Sequence, residues 1–420
     1  MRLSILRLWV LSALMVAAAT AVAQDAKYLE GPGEEISGPV ADIYGFAMVD
    51  MGYNAGRIDP DWFDVMRPTK LPKNSQQFGK DGSTYFSVRQ SRFGIKYWQP
   101  TSKQQVRGIF EWELFGVGED AGETTFRLRH AYLQYGQFGA GQYHSVFMDI
   151  DIFPDSVEYW GPTGMILYRN IQVRWMPVMG EKNNVAISLE RPGASGDGGE
   201  YDEIFFEQRR VEGRFPVPDL AAHYRRSEDW GHVQIAGILR NIQWDDNSEQ
   251  VINPDPNDPE PLDFSGRETG YGINLTTNIR LGRGVFKGGF IAGKGIQNYL
   301  NDGSADIAVT PGDADSPGGV KVVPVLAFSA FYDYPWNDSF TSTIGFSAQD
   351  LDYKGTASLP DTFVEGQYAL ANIIYYPVKP LMTALELQYG RRKNFNDGWD
   401  YDAWRIQFSA KYKFSFRLGG

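Results

Sequence analysis

Toward its C-terminal end the chain alternates with a strict period of two. Trp404, Ile406, Phe408, Ala410, Tyr412, Phe414 and Phe416 are separated by Arg405, Gln407, Ser409, Lys411, Lys413 and Ser415. Successive side chains of a strand point to opposite faces, so this run predicts a strand with one apolar and one wet face. Leu381, Thr383, Leu385, Leu387 and Tyr389 repeat the pattern, as do Tyr271, Ile273, Leu275, Thr277 and Ile279. The class these runs predict is all-β.

Glycine, proline and asparagine clusters mark the connections. Seven are tight, at residues 99–103, 136–139, 176–183, 227–231, 281–284, 335–338 and 377–380. Eight are long, at 54–83, 116–123, 147–167, 192–218, 245–267, 297–320, 354–361 and 393–400. Interleaved, they join sixteen strands and leave both chain ends on the short-turn side. A transmembrane antiparallel β-barrel of the outer-membrane type has this asymmetry, and a soluble sandwich or propeller does not require it. The barrel is expected over residues 41–416. Residues 204–215 could form another strand, but counting them would put the tight 281–284 turn among the long loops, so they are assigned to an external loop.

One long connection stands apart. Phe147 to Leu167, FMDIDIFPDSVEYWGPTGMIL, carries Pro154, Gly161, Pro162 and Gly164, and neither period survives across it. Its aromatic residues Phe153, Tyr159 and Trp160 argue for a loop that packs. It is expected to fold into the lumen as a constriction, carrying Asp149, Asp151, Asp155 and Glu158 with it.

Charge sharpens this picture. An Arg or Lys on the lipid face near the midplane costs about 2–4 kcal/mol, so charges within strands are expected to face the lumen. Arg107, Arg127, Arg129, Arg174, Arg225, Arg240 and Arg405 fall on polar faces, and a bulge near Gln90 would turn Arg89 and Arg92 inward as well. Inward acids are few: Glu111, Glu113, Glu190 and Glu386. If the hairpin around Asp120 is symmetric, Glu113 faces Arg127 and Glu111 faces Arg129, which makes cross-strand ion pairing as natural a role as solute contact. Other acids lie outside the strands: residues 245–263 hold seven carboxylates and no base, and 301–315 hold four and no base. The wall is therefore expected to be basic. Its arginines would face the loop acids across a narrow gap and set a transverse field, with Asp149 and Asp151 serving mainly as tethers.

Composition adds an address. Residues 1–23 combine Arg2 and Arg7, a leucine- and alanine-rich run and the sequence Ala21-Val22-Ala23, the three regions of a secretory signal peptide. Removing those two arginines takes the formal net charge from −12 to −14. No later segment is apolar for long enough to span a bilayer as a helix. A soluble secreted protein is one alternative, but aromatics at 14% and 46 glycines fit a barrel. There is no cysteine, which excludes a disulfide framework. Residues 24–40 read as a short periplasmic lead-in and 417–420 as a C-terminal tail. The negative charge makes nucleic acid an unfavourable partner.

Catalytic patterns are missing. His144 and Ser145 are adjacent in a strand pattern and would point to opposite faces, so they do not form a base and nucleophile pair. The Asp149, Asp151, Asp155 spacing lacks the glycine turn and closing glutamate of a calcium loop. The reading is of a protein that is not an enzyme and holds no metal or cofactor.

SVRQSRFGIK, RLRHAYLQYG, AGQYHSVFMDIDIFPDSVEYWGPTGMILYRNIQVRW and DWGHVQIAGILR resemble the DcaP-like outer-membrane porins of Gram-negative bacteria. The resemblance runs from about Ile43 to Phe416. It implies a sixteen-stranded homotrimer embedded in outer-membrane lipid, passing small anionic solutes such as dicarboxylic and aromatic carboxylic acids. Two departures from the family are visible. The lead-in is too short and too rich in glycine and proline for the N-terminal coiled coil of some relatives, and four residues follow Phe416 where porins commonly end on an aromatic. The expected function is passive, anion-preferring diffusion. The alternatives are a carbohydrate porin with Tyr159 and Trp160 in a stacking track, and a barrel with a structural or adhesive role.

Overall fold

The computed structural model describes residues 36–207, 211–247 and 263–420. The signal peptide, most of the lead-in and most of the acidic 245–263 stretch lie outside the described residues.

Sixteen strands form the wall. They are β1 (Val40–Asn54), β2 in two pieces (Ser83–Ser87 and Arg92–Pro100), β3 (Gln105–Phe115), β4 (Thr124–Tyr135), β5 (Phe138–His144), β6 (Arg169–Met179), β7 (Asn183–Glu190) and β8 (Asp219–Glu228). They continue with β9 (Gly231–Asp246), β10 (Gly266–Leu281), β11 (Gly284–Lys294), β12 (Pro324–Pro335), β13 (Phe340–Leu351), β14 (Phe363–Val378), β15 (Leu381–Asn394) and β16 (Asp400–Gly419). Each pairs antiparallel with the next. β16 returns to β1 in an unbroken register from Val40↔Gly419 to Asn54↔Arg405. Closure leaves no unpaired edge, which a bilayer would penalise.

Alternation sorts the two faces as the sequence predicts. Trp404, Ile406, Phe408, Tyr412 and Phe416 are exposed toward lipid, while Arg405, Gln407 and Ser409 are buried inside. The seven tight turns and eight long loops also fall where they were expected, and the barrel is a sixteen-stranded antiparallel one.

Two boundaries move. The expected tail at 417–420 instead extends β16 as far as Gly419, where Arg417 donates to Asp42 from Nε at 2.7 Å and from Nη2 at 2.9 Å. The apolar rhythm stops at Phe416, but backbone pairing with β1 does not depend on it. Within the external segment 204–215, Val211–Arg214 pairs with the outer end of β9 at Gln243–Asp246, so the loop carries a short strand beyond the wall. A small sheet of Gly196–Asp197, Ile307–Thr310 and Gly319–Val322 stands beside it.

The interior is packed by loops. Val146, Phe147, Met148 and Ile166 of the 145–168 loop bury against Ile291, Ile296 and Tyr299. Met165 and Ile152 join Met66 and Leu71 of the 55–82 loop. This apolar contact holds the loops inside a wall whose own inner face is polar.

Candidate functional site: the constriction

The loop at 145–168 follows the inner wall, and polar side chains from many strands satisfy its irregular backbone. Glu190 of β7 accepts from Ser145 Oγ and Val146 N, both at 3.0 Å. Asn274 and Asn278 of β10 donate to the carbonyls of Phe147 and Asp151, each at 2.9 Å. Lys287 of β11 donates to Phe153 O at 2.6 Å, and Asn372 of β14 to Asp155 O at 2.8 Å. Glu386 of β15 accepts from Val157 N at 3.0 Å, and Gln407 of β16 and Gln90 donate to Val157 O at 3.1 and 2.8 Å. At its return the loop passes so close to β13 that a Cβ on Gly164, at φ +66°, would lie 2.5 Å from Ala348 O.

The loop acids are turned toward this wall. Asp149 Oδ2 accepts from His232 Nε2 at 2.8 Å and from Thr276 Oγ1 at 2.6 Å, and Arg225 Nη1 lies 3.5 Å from Oδ1. Burial opposes ionisation of Asp149, but His232 and Arg225 overcome it and hold the carboxyl below its usual range. Asp151 pairs with Arg225 Nη2. Among the described residues, Asp149, Asp151 and His232 bring their ligand atoms within 4.8 Å of one another, a donor set a metal could use. The Arg225 guanidinium already supplies positive charge there. Asp155 sits against Asp333 of β12, and its carboxyl is pushed up by burial and by that like charge. Glu158 accepts from Met66 N at 3.0 Å and from Gly161 N, and burial pushes its carboxyl up to about 8 against the pull of Arg405.

This arrangement corrects the expected transverse field. Asp149 and Asp151 are the wall tethers they were expected to be, but none of the four acids stands opposite the arginines across an aqueous gap. In the structure the carboxylate oxygens of Asp149, Asp151 and Glu158 serve the wall and the loop backbone, where buried amides and cations need partners.

A cluster of arginines lies on the inner wall beside the loop. On β3 and β4, Arg129 Nε lies 2.7 Å from Glu111 Oε1 and Arg129 Nη1 lies 2.6 Å from Glu113 Oε2. Arg92, Arg127 and Arg169 approach Glu113 at 3.5, 3.9 and 3.7 Å. Arg174 of β6 lies over the rings of Tyr143 and Tyr132, 5.4 and 5.9 Å from their centroids. Four guanidiniums thus surround two carboxylates, and Arg174 stands apart from them on the tyrosine rings. Arg127, with 28% of its side chain exposed, presents the most surface of the four around Glu113; Arg92 shows 14%, Arg129 10% and Arg169 9%.

The hairpin is not symmetric. Glu113 faces Arg127 as expected, but Glu111 faces His130, and Arg129 is the extra residue of a bulge between the Glu111 and Trp112 pairs. The bulge lets Arg129 reach both carboxylates. Arg107 donates from Nε to Gln105 at 3.0 Å, away from this cluster. Arg89 is a correction: it is 1% exposed and donates to Asp64 at 2.7 Å and to Gly116 O at 2.9 Å, so it ties down external loops and offers nothing to a solute. Arg240 and Arg405 are likewise buried, on Asp219 and Asp306 and on Asn54 and the Phe63 and Val65 carbonyls.

Tyr159 and Trp160 are engaged too. Tyr159 stacks on Phe115 with centroids 3.8 Å apart and donates to Glu113. Trp160 donates to Asn301 O at 2.7 Å and meets Trp62 edge to face at 4.9 Å, and Arg67 packs over both rings at 3.8 and 4.1 Å from their centroids. Sequence reasoning missed Arg67 and Arg169. Arg169 shares parity with Ile171 and Val173, which face lipid, but as the first residue after the loop it is free to turn toward Glu113.

Residues 65–253 match the family model described as DcaP outer membrane protein. The outer membrane channel DcaP of Acinetobacter baumannii has a TM-score of 0.73 at 23% identity, over 91% of this chain and 99% of that one. An anion-selective porin from Comamonas acidovorans gives 0.56 at 8% identity, over 90% and 100%. OmpT of Vibrio cholerae in its trimer form gives 0.52 at 12% identity, over 90% and 100%. No curated protein sequence matches. The chain is thus similar to the DcaP outer membrane proteins over residues 65–253, and its barrel has the fold of outer-membrane channels.

Proposed function

We propose that this DcaP-like outer-membrane channel is a passive diffusion porin that prefers small anions, among them dicarboxylic and aromatic carboxylic acids. The observation that carries this reading is the excess of Arg92, Arg127, Arg129 and Arg169 over Glu111 and Glu113, with Arg174 nearby on the wall, beside a loop whose Asp149 and Asp151 are already paired. A guanidinium replaces part of a carboxylate's hydration with paired hydrogen bonds, and solvent access keeps the contact weak enough for release. The Comamonas acidovorans porin of the same fold is anion-selective by its description, which supports the assignment. A homotrimer is the proposed assembly, supported by the trimer form of OmpT.

The carbohydrate reading needs free aromatic faces. Phe115 occupies Tyr159 and Arg67 occupies Trp160, so that reading has less support.

The test is the reversal potential of the purified protein in a planar bilayer under a KCl gradient, repeated with a dicarboxylate salt. A potential toward chloride, with conductance reduced by millimolar dicarboxylate, is expected. A potential toward potassium overturns the anion preference.

A further inference from the structure

On the short-turn side of the constriction loop the inner wall carries a second group of cations. Gln407 of β16 donates to the loop at Val157 O, and Lys411 and Lys413 face the lumen about 13 and 20 Å farther along the same strand. Register sets them beside the arginine cluster. Lys413 pairs with Phe46 of β1, Phe46 with Arg92 of β2 and Arg92 with Glu113 of β3, so one row of the lumen face reads cation, ring, cation, acid. Two strand spacings put the Lys413 and Arg92 backbones about 10 Å apart.

Two rings seat these cations. Arg92 and Lys411 lie over Phe46, 5.3 and 5.2 Å from its centroid, and Lys96 of β2 lies over Tyr44 at 5.2 Å. Tyr44 lies against β2 at Gly94, where a Cβ would come 2.5 Å from its Cζ, and its hydroxyl donates to Glu111 at 2.6 Å. A cation held over a ring has already lost part of its freedom, so less is lost when a solute binds it. The three lysines and both rings are half-buried on the lumen side of their strands. The Asp155 carboxyl at the loop tip feels Lys411 and Lys413, but burial and Asp333 push it toward its neutral form.

The arginine cluster alone can meet a solute with one acid group. A solute with an acid group at each end gains a second contact once the first is made, because its own chain keeps the free end close. Resting on the anion-preferring reading above, we propose that Lys96, Lys411 and Lys413 form a second anion station, and that slender dianions bridge it to Arg92 and Arg127 across Phe46. The channel then tells dianions from monoanions of equal length.

Block of chloride current in planar bilayers at neutral pH by glutarate and by valerate, which share a five-carbon chain, tests this. Half-block of the wild type by glutarate is expected at a concentration about fivefold below that of valerate. The double variant Lys411→Gln, Lys413→Gln is expected to bring the two concentrations together. Phe46→Leu, which removes the ring and keeps an apolar side chain, is expected to narrow the gap. Heat-shifted gel migration confirms that each variant is a folded barrel. A folded double variant that keeps the wild-type preference for glutarate overturns the station, as does a wild type that both acids block equally; a chloride-side reversal potential then leaves the anion reading standing. A potassium-side reversal potential of the wild type overturns that reading, and the station with it.

Discussion

Arg129 reaches Glu113 at 2.6 Å while its Nε, 2.7 Å from Glu111, holds the neighbouring inward carboxylate of the same strand. Both glutamates are fully buried. Removing one partner of such a cluster leaves charge in a poorly solvated place, and the uncompensated carboxylates cost more than the lost attraction. Arg129→Ala is therefore expected to destabilise the folded barrel by about 3–5 kcal/mol, read as a lower urea midpoint in detergent. A midpoint within error of the wild type would show that Arg92 and Arg169 neutralise the pair without it.

Arg127 is the contrasting case. It lies 3.9 Å from Glu113 and is the most exposed of the four arginines around that carboxylate. A partly exposed pair of this length contributes under about 1 kcal/mol to stability, whereas its charge acts on the open side. Arg127→Ala is expected to leave the urea midpoint nearly unchanged and to lower the chloride-to-potassium permeability ratio, with Arg127→Glu lowering it further. An unchanged ratio in Arg127→Glu would move the selectivity to another part of the wall.

Arg67 joins three loops. It packs over the rings of Trp62 and Trp160, which meet edge to face, and its Nε donates to Asp302 at 3.0 Å. A desolvated cation over an indole is worth up to about 2 kcal/mol, and here it fixes the far end of the constriction loop. Arg67→Ala is expected to raise open-channel noise in single-channel records while the barrel stays folded. Quiet currents of wild-type size would mean that the Trp160 to Asn301 bond alone is enough.

The parts of the fold that were legible are those where a period survives. Trp404 to Phe416 states both faces of its strand because lipid demands apolar residues at every second position. Arg129 shows the limit: its parity correctly places it inside, but the bulge that lets it bridge two glutamates leaves no mark in the alternation. Arg169 fails for a related reason, since strand ends do not enforce parity. Arg89 was legible as inward but not as buried, because its partner Asp64 comes from a distant loop. The loop acids illustrate the same blindness: their number could be read, but not the strand residues they answer to.

Glu158 ties the loop to pH. It belongs to the loop rather than to a strand, and burial raises its carboxyl to about 8, with Glu386 of β15 adding to the rise and Arg405 of β16 opposing it. A carboxyl raised in the fold above its ordinary value of 4.5 favours the neutral form. Its contribution to stability is then fully present below 4.5 and is lost as pH rises through about 8. Ionisation over that upper range also adds one negative charge beside the lumen. The permeability ratio of the wild type is therefore expected to move toward cations between roughly pH 7 and pH 9, and the urea midpoint to fall between pH 4.5 and about 8 and then level off. Glu158→Gln keeps an acceptor for Met66 N and carries no titratable charge, so both trends should flatten. Wild-type and Glu158→Gln curves that run parallel over this range would place the titration on another group and show that Glu158 is ionised throughout by the charge of Arg405.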